Sequence, residues 1–283
     1  DHIMPDKIHQ INLSFLVNKL SKQKGGTAGN IAYNLALLGC PVSIVGSVGS
    51  DFSDYGKFLQ DVGVDISGIK IVEDDSTSSA YIMTDRSDNQ ITAFYPGAMR
   101  KNSSLSLEGN PEFVVISPND PAAMVNFTKQ CQEKNIPYML DPGMQLPALD
   151  AEDLKSMISG ATILIGNDYE IALLKEKTDC DDRQILTKVK VLITTLGEKG
   201  STIQTKDETI QIEPAKPSEV LDPTGAGDAY RAGFLAGYVD GKDLKVCGQM
   251  GSVAACFTIE KYGTTAHTFT KEQFDKRFKQ NFP

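Results

Sequence analysis

"VLDPTGAGDAYRAGF", residues 220–234, runs from two apolar residues through a turn rich in Pro, Thr and Gly into small and apolar residues at helical spacing. A helix therefore opens close to Ala226. Gly225, Ala226 and Gly227 then offer successive backbone N–H groups at the positive end of the helix dipole, and no large side chain keeps an anion away. Immediately behind them stands an acid, Asp228. A carboxylate in a first helical turn gains about 0.3–1 kcal/mol from the dipole alone, so helix stabilisation is one reading of it. The other starts from a mismatch: a carboxylate beside an anion cradle repels the ligand unless it has a chemical task. Accepting a proton from a hydroxyl that attacks a phosphate is such a task. The two common phosphate fingerprints are absent, because GxGxxG needs glycine where Tyr230 stands and a P-loop needs Gly-Lys-Ser/Thr. A dinucleotide-dependent oxidoreductase is thereby left without its motif.

Upstream of this stretch, short β-branched runs alternate with helix-like segments. The runs are "FVVIS" (113–117), "PYMLD" (137–141), "TILIG" (162–166) and "VLITT" (191–195). They are apolar nearly throughout, as strands buried on both faces are, and point to a parallel α/β sheet. "STIQT" and "TIQIEP" around "KDE" read as a hairpin near the sheet edge. The N-terminal half has another rhythm. "GGTAGNIAYNLALLG" (25–39) passes from turn residues into Ile31, Leu35 and Leu38 on one helical stripe and stops at Gly39. "VSIVGSV" is a strand and "YGKFLQDVG" a short helix. "GIKIVE", "SSAYIMTD" and "ITAFYPG" are three extended segments with a partly alternating pattern, expected to form a small sheet with one wet face and "DRSDNQ" as a hairpin tip. This sheet reads as a lid inserted into the α/β core.

With 283 residues, 40% hydrophobic and 23% charged, the chain has the composition of a globular protein with one large domain and a small appendage. Its net charge of -9 disfavours nucleic acid and anionic membrane as partners, so a polyphosphate must be met by local N–H groups and metal ions. Five cysteines without a CxxC pair fit a reducing cytoplasm. Three histidines leave few parts for a His-based metal site or a Ser-His-Asp triad. No apolar run approaches the ~20 residues of a membrane span, and "DHIMPDKIHQ" lacks the features of a signal peptide.

Asp222 to Phe234 resembles, almost letter for letter, the signature of the ribokinase-like (PfkB) family of sugar and nucleoside kinases. "GGTAGNIAYNLALLG" is similar to its first Gly-Gly signature, "NDYE" (167–170) to its Asn-x-x-Glu element and "TLGEKG" (195–200) to its nucleotide loop. The resemblance implies a three-layer αβα sandwich with a mainly parallel central sheet and a β lid. The lid is expected at residues 1–24 and 67–100, over a core of 25–66 and 101–283. It further implies ATP and Mg²⁺ as cofactors and phosphotransfer to a primary hydroxyl of a nucleoside or sugar. Asp228 would be the base, with Gly225, Ala226 and Gly227 as the anion hole. Glu170 and Asn167 would order Mg²⁺ and its waters, while Thr195, Gly197 and Gly200 would meet the nucleotide, with Ala255 beside the adenine. Gly26 and Asn30 would bind substrate hydroxyls.

Each of these residues also has a plainer reading. Asn167 and Glu170 suit a helix N-cap and first-turn acid, Gly26 a turn, Asn30 a cap, "LGEKG" a hairpin turn, and Asp51 a turn residue rather than a ligand. The stripes Ala229, Ala232, Gly233, Ala236, Gly237 and Gly248, Gly251, Ala254, Ala255 suit close helix packing. The lid run "DNQITAFYPGA" looks most like nucleoside-leaning members, with adenosine first and ribose or another sugar second. Phe15, Tyr81 and Phe94 are candidates to stack on a base. An exposed lid sheet could pair with a second copy. A non-catalytic nucleotide-binding protein of the same fold is the alternative from another class. The chain also opens in lid-like sequence, and the family pattern implies some ~30 residues before it, carrying a first core strand and a substrate-binding Asp.

Overall fold

The computed structural model describes residues 17, 20–84 and 90–283. Its helices are α1 (Thr27–Leu37), α2 (Ser53–Asp61), α3 (Pro121–Glu133), α4 (Ala151–Ile158), α5 (Asp168–Thr178), α6 (Asp182–Leu186), α7 (Ala226–Val239), α8 (Leu244–Ile259) and α9 (Lys271–Asn281). Its strands are β1 (Gly46–Gly49), β2 (Ile69–Val72), β3 (Ser79–Thr84), β4 (Gln90–Tyr95), β5 (Val114–Ile116), β6 (Tyr138–Leu140), β7 (Ile163–Asn167), β8 (Val191–Thr195), β9 (Ser201–Gln204) and β10 (Thr209–Ile212).

Six strands form one sheet in the order β10-β9-β8-β7-β6-β5. β5 to β8 are parallel, and β9 and β10 fold back as an antiparallel edge hairpin, as the sequence predicts. The apolar runs are buried on both faces. Leu140, Leu164 and Leu192 pack with Met124, Leu154, Leu174 and Ile185 of α3 to α6. Met139, Ile163 and Ile193 point the other way, into Ile31 and Leu35 of α1, Phe234 of α7 and Cys247 of α8. Successive residues of a strand face opposite sides, so one apolar run serves two helical layers. The result is the expected three-layer αβα sandwich. Burying a Leu or Ile side chain is worth about 1.5–3 kcal/mol, which makes this doubly covered sheet the rigid part of the molecule.

The small-residue stripes are packing surfaces. A Cβ on Gly233 would lie 2.5 Å from the Met250 carbonyl oxygen, and one on Gly251 would lie 2.8 Å from that of Tyr230. α7 and α8 thus meet backbone to backbone, which holds the start of α7 in a fixed place.

Strand pairing in the N-terminal half differs from the expected single small sheet. β2 pairs in parallel with β1, and β3 pairs with β4 as an antiparallel hairpin. The polar run between β2 and β3 turns the chain away, because Thr77 is tied to the core: its N–H and its hydroxyl donate to Asp51 Oδ1 at 2.8 and 2.7 Å. The Gly49 N–H donates to Thr77 Oγ1 at 3.1 Å. Asp51 is therefore a structural tie, in line with its turn reading. Residues 85–89 of the predicted tip, and Phe15, lie outside the described residues.

Candidate active site

The first turn of α7 sits where the sequence places it. Gly225 has φ 82°, a left-handed conformation natural to glycine, and a Cβ there would come within 2.9 Å of Thr264 Cγ2. The N–H of Ala226 donates to the Pro223 carbonyl at 3.2 Å. Those of Gly225 and Gly227 have no acceptor among the described residues, so two of the three predicted donors stay free for an anion. Asp222 staples the turn from outside. Its carboxylate accepts from the N–H groups of Thr224 and Gly263, each at 2.9 Å. Burial works against its charge, but those hydrogen bonds hold its pKa below the ordinary value.

Asp228 points back toward α1. Asn30 Nδ2 donates to Asp228 Oδ2 at 2.7 Å, and Asn30 Oδ1 accepts from the Thr264 hydroxyl at 2.8 Å. Asp228 Oδ1 has no protein partner among the described residues, and the residue is partly exposed. Burial pushes the pKa of Asp228 up to about 6, against the hydrogen bond from Asn30 and the positive charge of Arg231, with Asp141 and Glu170 adding to the rise. A carboxylate with that pKa is mostly ionised at neutral pH and still basic enough to take a proton. Among the described residues no cation locks it, and Arg231 is paired with Asp141 instead.

Asn30, 4% exposed, thus spends its side chain on Asp228 and Thr264, leaving one Nδ2 hydrogen for anything else. Gly26 is the N-cap of α1 at φ 93°, exposed and with open space above it. The Tyr55 hydroxyl donates to the Gly25 carbonyl at 3.0 Å, which fixes the entry to α1. Burial, then the charge of Asp228, push the pKa of that phenol up.

Asn167 and Glu170 form a reciprocal cap at the start of α5: Asn167 Oδ1 accepts from the Glu170 N–H and Glu170 Oε2 from the Asn167 N–H, both at 2.8 Å. The plain reading of this pair is therefore realised. The Glu170 charge reaches Asp228, where it adds to the rise in pKa. Thr195 lies opposite Asn167 across β7 and β8, so both stand at the carboxyl edge of the parallel strands, where open α/β sheets bind ligands. Gly197 and Gly200 close the tight β8–β9 turn, with the Leu196 N–H donating to the Gly200 carbonyl at 2.8 Å. Ala255 lies on α8, half-buried against the core between sheet and helices. Among the described residues no cluster of three or more His, Cys, Asp or Glu forms a metal cage. That donor set suits a hard cation that keeps most of its waters, and does not suit one enclosed by protein.

Three residues of this neighbourhood escaped the sequence reading: Asp141, Arg231 and Tyr55. Arg231 had a signal, being a lone charge in an otherwise small and apolar helix face, which demands a buried partner. Asp141 had one as well, as an acid directly after a buried strand.

Residues 1–271 match the sequence profile described as pfkB family carbohydrate kinase. The chain is 35% identical over 279 residues to a nucleoside kinase of Methanocaldococcus jannaschii, covering 98% of this chain and 92% of the relative. It is similar to the structure of a Burkholderia thailandensis nucleoside kinase in complex with inosine, with TM-score 0.93, 35% identity and coverage of 96% and 93% of the two chains. The structure of that kinase in complex with ADP-inosine superposes with TM-score 0.89 and 36% identity, covering 99% of this chain and 89% of that one.

Proposed function

Since the chain belongs to the pfkB family of carbohydrate kinases, we propose that it transfers the γ-phosphoryl group of ATP to the primary hydroxyl of a nucleoside, with a purine nucleoside such as adenosine or inosine as acceptor. The observation that carries this reading is Asp228: a carboxylate with a pKa of about 6, one oxygen held by Asn30 and the other without a partner among the described residues, directly behind two N–H groups at a helix N-terminus that likewise find no acceptor there. Asp228 takes the proton as the acceptor oxygen forms its bond to the γ-phosphorus. The bond from that phosphorus to the β–γ bridging oxygen breaks, and ADP leaves with the electron pair. The N–H groups of Gly225 and Gly227 hold the equatorial oxygens of the migrating group, with Ala226 closing the turn between them.

Thr195, Gly197 and Gly200 meet the nucleotide phosphates and ribose, and the adenine lies beside Ala255. Asn167 and Glu170 would hold the waters of Mg²⁺, whose charge neutralises the phosphate oxygens when it is bound. Gly26 lets the sugar approach the backbone, and Asn30 offers its remaining N–H to a hydroxyl. Residues 1–24 and 67–100 would act as the lid over the core of 25–66 and 101–283, excluding water that competes as acceptor, with 1–16, 18–19 and 85–89 lying outside the described residues. Tyr81 and Phe94 stack on the base, and the apolar surface of the β3–β4 hairpin supports a homodimer through the lid. Five free thiols support a cytoplasmic setting. No helix of the described residues is long and apolar enough to cross a membrane.

The test is ADP release from Mg·ATP with adenosine, inosine, guanosine, cytidine, ribose and fructose 6-phosphate. A purine nucleoside should give the highest kcat/KM. A preference for ribose or fructose 6-phosphate moves the assignment to a sugar kinase. ATP binding by calorimetry without turnover on any acceptor makes the chain a nucleotide-binding protein.

A further inference from the structure

Arg231 and Asp141 form a buried pair, with side chains 8% and 2% exposed. Arg231 Nε lies 2.6 Å from Asp141 Oδ2, and Arg231 Nη2 donates to Asp141 Oδ1 at 3.0 Å. The third arm of the same guanidinium, Nη1, donates to the Gly227 carbonyl at 2.9 Å. Asp141 is anchored in turn, its N–H donating to the Ile116 carbonyl at 2.9 Å beside the end of β6. One planar group thus joins the carboxyl edge of the sheet to the peptide that follows the free N–H of the anion cradle. The glycine at 227 belongs to this arrangement, since a Cβ there would lie 2.9 Å from Arg231 Nη1. The missing side chain makes room for the guanidinium as well as for an anion. Replacing a buried ion pair by well-packed apolar residues is often neutral or stabilising, so fold stability alone does not account for one here.

We propose that the Arg231–Asp141 pair is the positioning element of the phosphoryl site, holding the first turn of α7 on the end of β6. This rests on the kinase reading of Asp228. The groups whose charge or hydrogen bond reaches that carboxylate are Arg231 from its own helix, Asp141 after β6, Glu170 from α5, Tyr55 from α2 and the neutral Asn30 from α1. Arg231 favours the ionised form, and Asp141 and Glu170 oppose it. Removing Asp141 therefore makes Asp228 more acidic, and removing the Arg231 charge makes it less so. A purely architectural pair produces no such opposed shifts.

The experiment uses the full chain and two readouts. One is the ¹³C-carboxyl NMR titration of Asp228, its resonance identified by its loss in Asp228→Asn. The other is the pH dependence of kcat/KM. Asp141→Asn should lower the Asp228 midpoint and carry the acid limb of kcat/KM with it. Arg231→Lys keeps the charge and loses the fork, so the midpoint should stay while kcat falls roughly tenfold at little-changed KM. An unmoved midpoint in Asp141→Asn together with kcat of Arg231→Lys within about twofold of the parent overturns the proposal. If either variant fails to fold, the uncharged double variant Arg231→Gln/Asp141→Asn replaces it. It should show a kcat lowered roughly tenfold, and a kcat within about twofold of the parent overturns the proposal. The NMR midpoint needs no substrate, so a chain that shows the shifts but phosphorylates nothing refutes the kinase reading alone.

Discussion

Around Asp228, each polar group is held by a different element: Asn30 from α1, Thr264 after α8, Asp222 before α7, and Asp141 after β6 gripping Arg231. Along the β3–β4 hairpin the side chains are left outside. Tyr81 is 66% exposed, Ile82 53% and Phe94 48%, and among the described residues the hairpin is tied at its base, by the Thr77–Asp51 hydrogen bonds and the Tyr95–Asp75 hydrogen bond of 2.9 Å. The first region is built for geometry that must not move. The second presents apolar surface with few internal constraints, which is what a substrate-facing flap or a dimer contact requires. The proposed function thereby assigns chemistry to the core and selectivity to the hairpin, and substitutions in the two regions should fail in different ways.

The largest effect falls on the core site. Asp228→Asn should lower kcat by at least about 10²–10⁴-fold in an ADP-release assay while ATP binding persists in calorimetry. The same variant should melt no lower than the parent at pH 8, and higher if burial alone governs. The folded pKa of about 6 lies above the ordinary carboxylate value, so this group's contribution to stability declines as pH rises through that window, and Asn does not carry the penalty. Next comes Gly200→Ala. Its Cβ would lie 1.9 Å from the Ile212 carbonyl oxygen at φ 82°, so the denaturant midpoint should report a loss of roughly 3 kcal/mol.

A third effect lies behind the site. His267 is buried, its Nε2 hydrogen-bonded to Asn34 Oδ1 at 2.9 Å, and burial pulls its pKa down to about 4. The unfolded chain takes up a proton there below the ordinary histidine value while the folded chain does not. Stability should therefore fall by on the order of 2 kcal/mol as pH drops from about 6.5 to 4, and His267→Gln should flatten that slope in pH-dependent melts. The smallest stability effect belongs to the hairpin. Tyr81→Ala with Phe94→Ala should change unfolding free energy by no more than about 0.5 kcal/mol per site while KM for the nucleoside rises several-fold. A hairpin variant that lowers kcat as deeply as Asp228→Asn, with KM unchanged, breaks the division between the regions.

Local pattern made the sheet and the α7 turn legible. Doubly buried strands write themselves as continuous apolar runs, and a helix start needs its glycines and its acid within a few positions. The partners that complete the site are far along the chain: Asp141 is 90 residues from Arg231, and Thr264 is 234 from Asn30. No window of sequence contains both ends of such a bond. The direction of Asn30 was hidden for the same reason, since a cap, a substrate ligand and a carboxylate holder look alike in one dimension. The pairing of β2 with β1 was missed because "IKIV" has intermediate and exposed positions on both sides, and so does not declare which neighbour it takes.

The most direct test of the central claim is transfer of the label from [γ-³²P]ATP to inosine or adenosine, with parent and Asp228→Asn measured side by side in the presence of Mg²⁺. The parent should place the label on the nucleoside's primary hydroxyl, and the variant should place essentially none there while binding ATP with unchanged affinity. Equal transfer by the two proteins would contradict the role of Asp228 as the base.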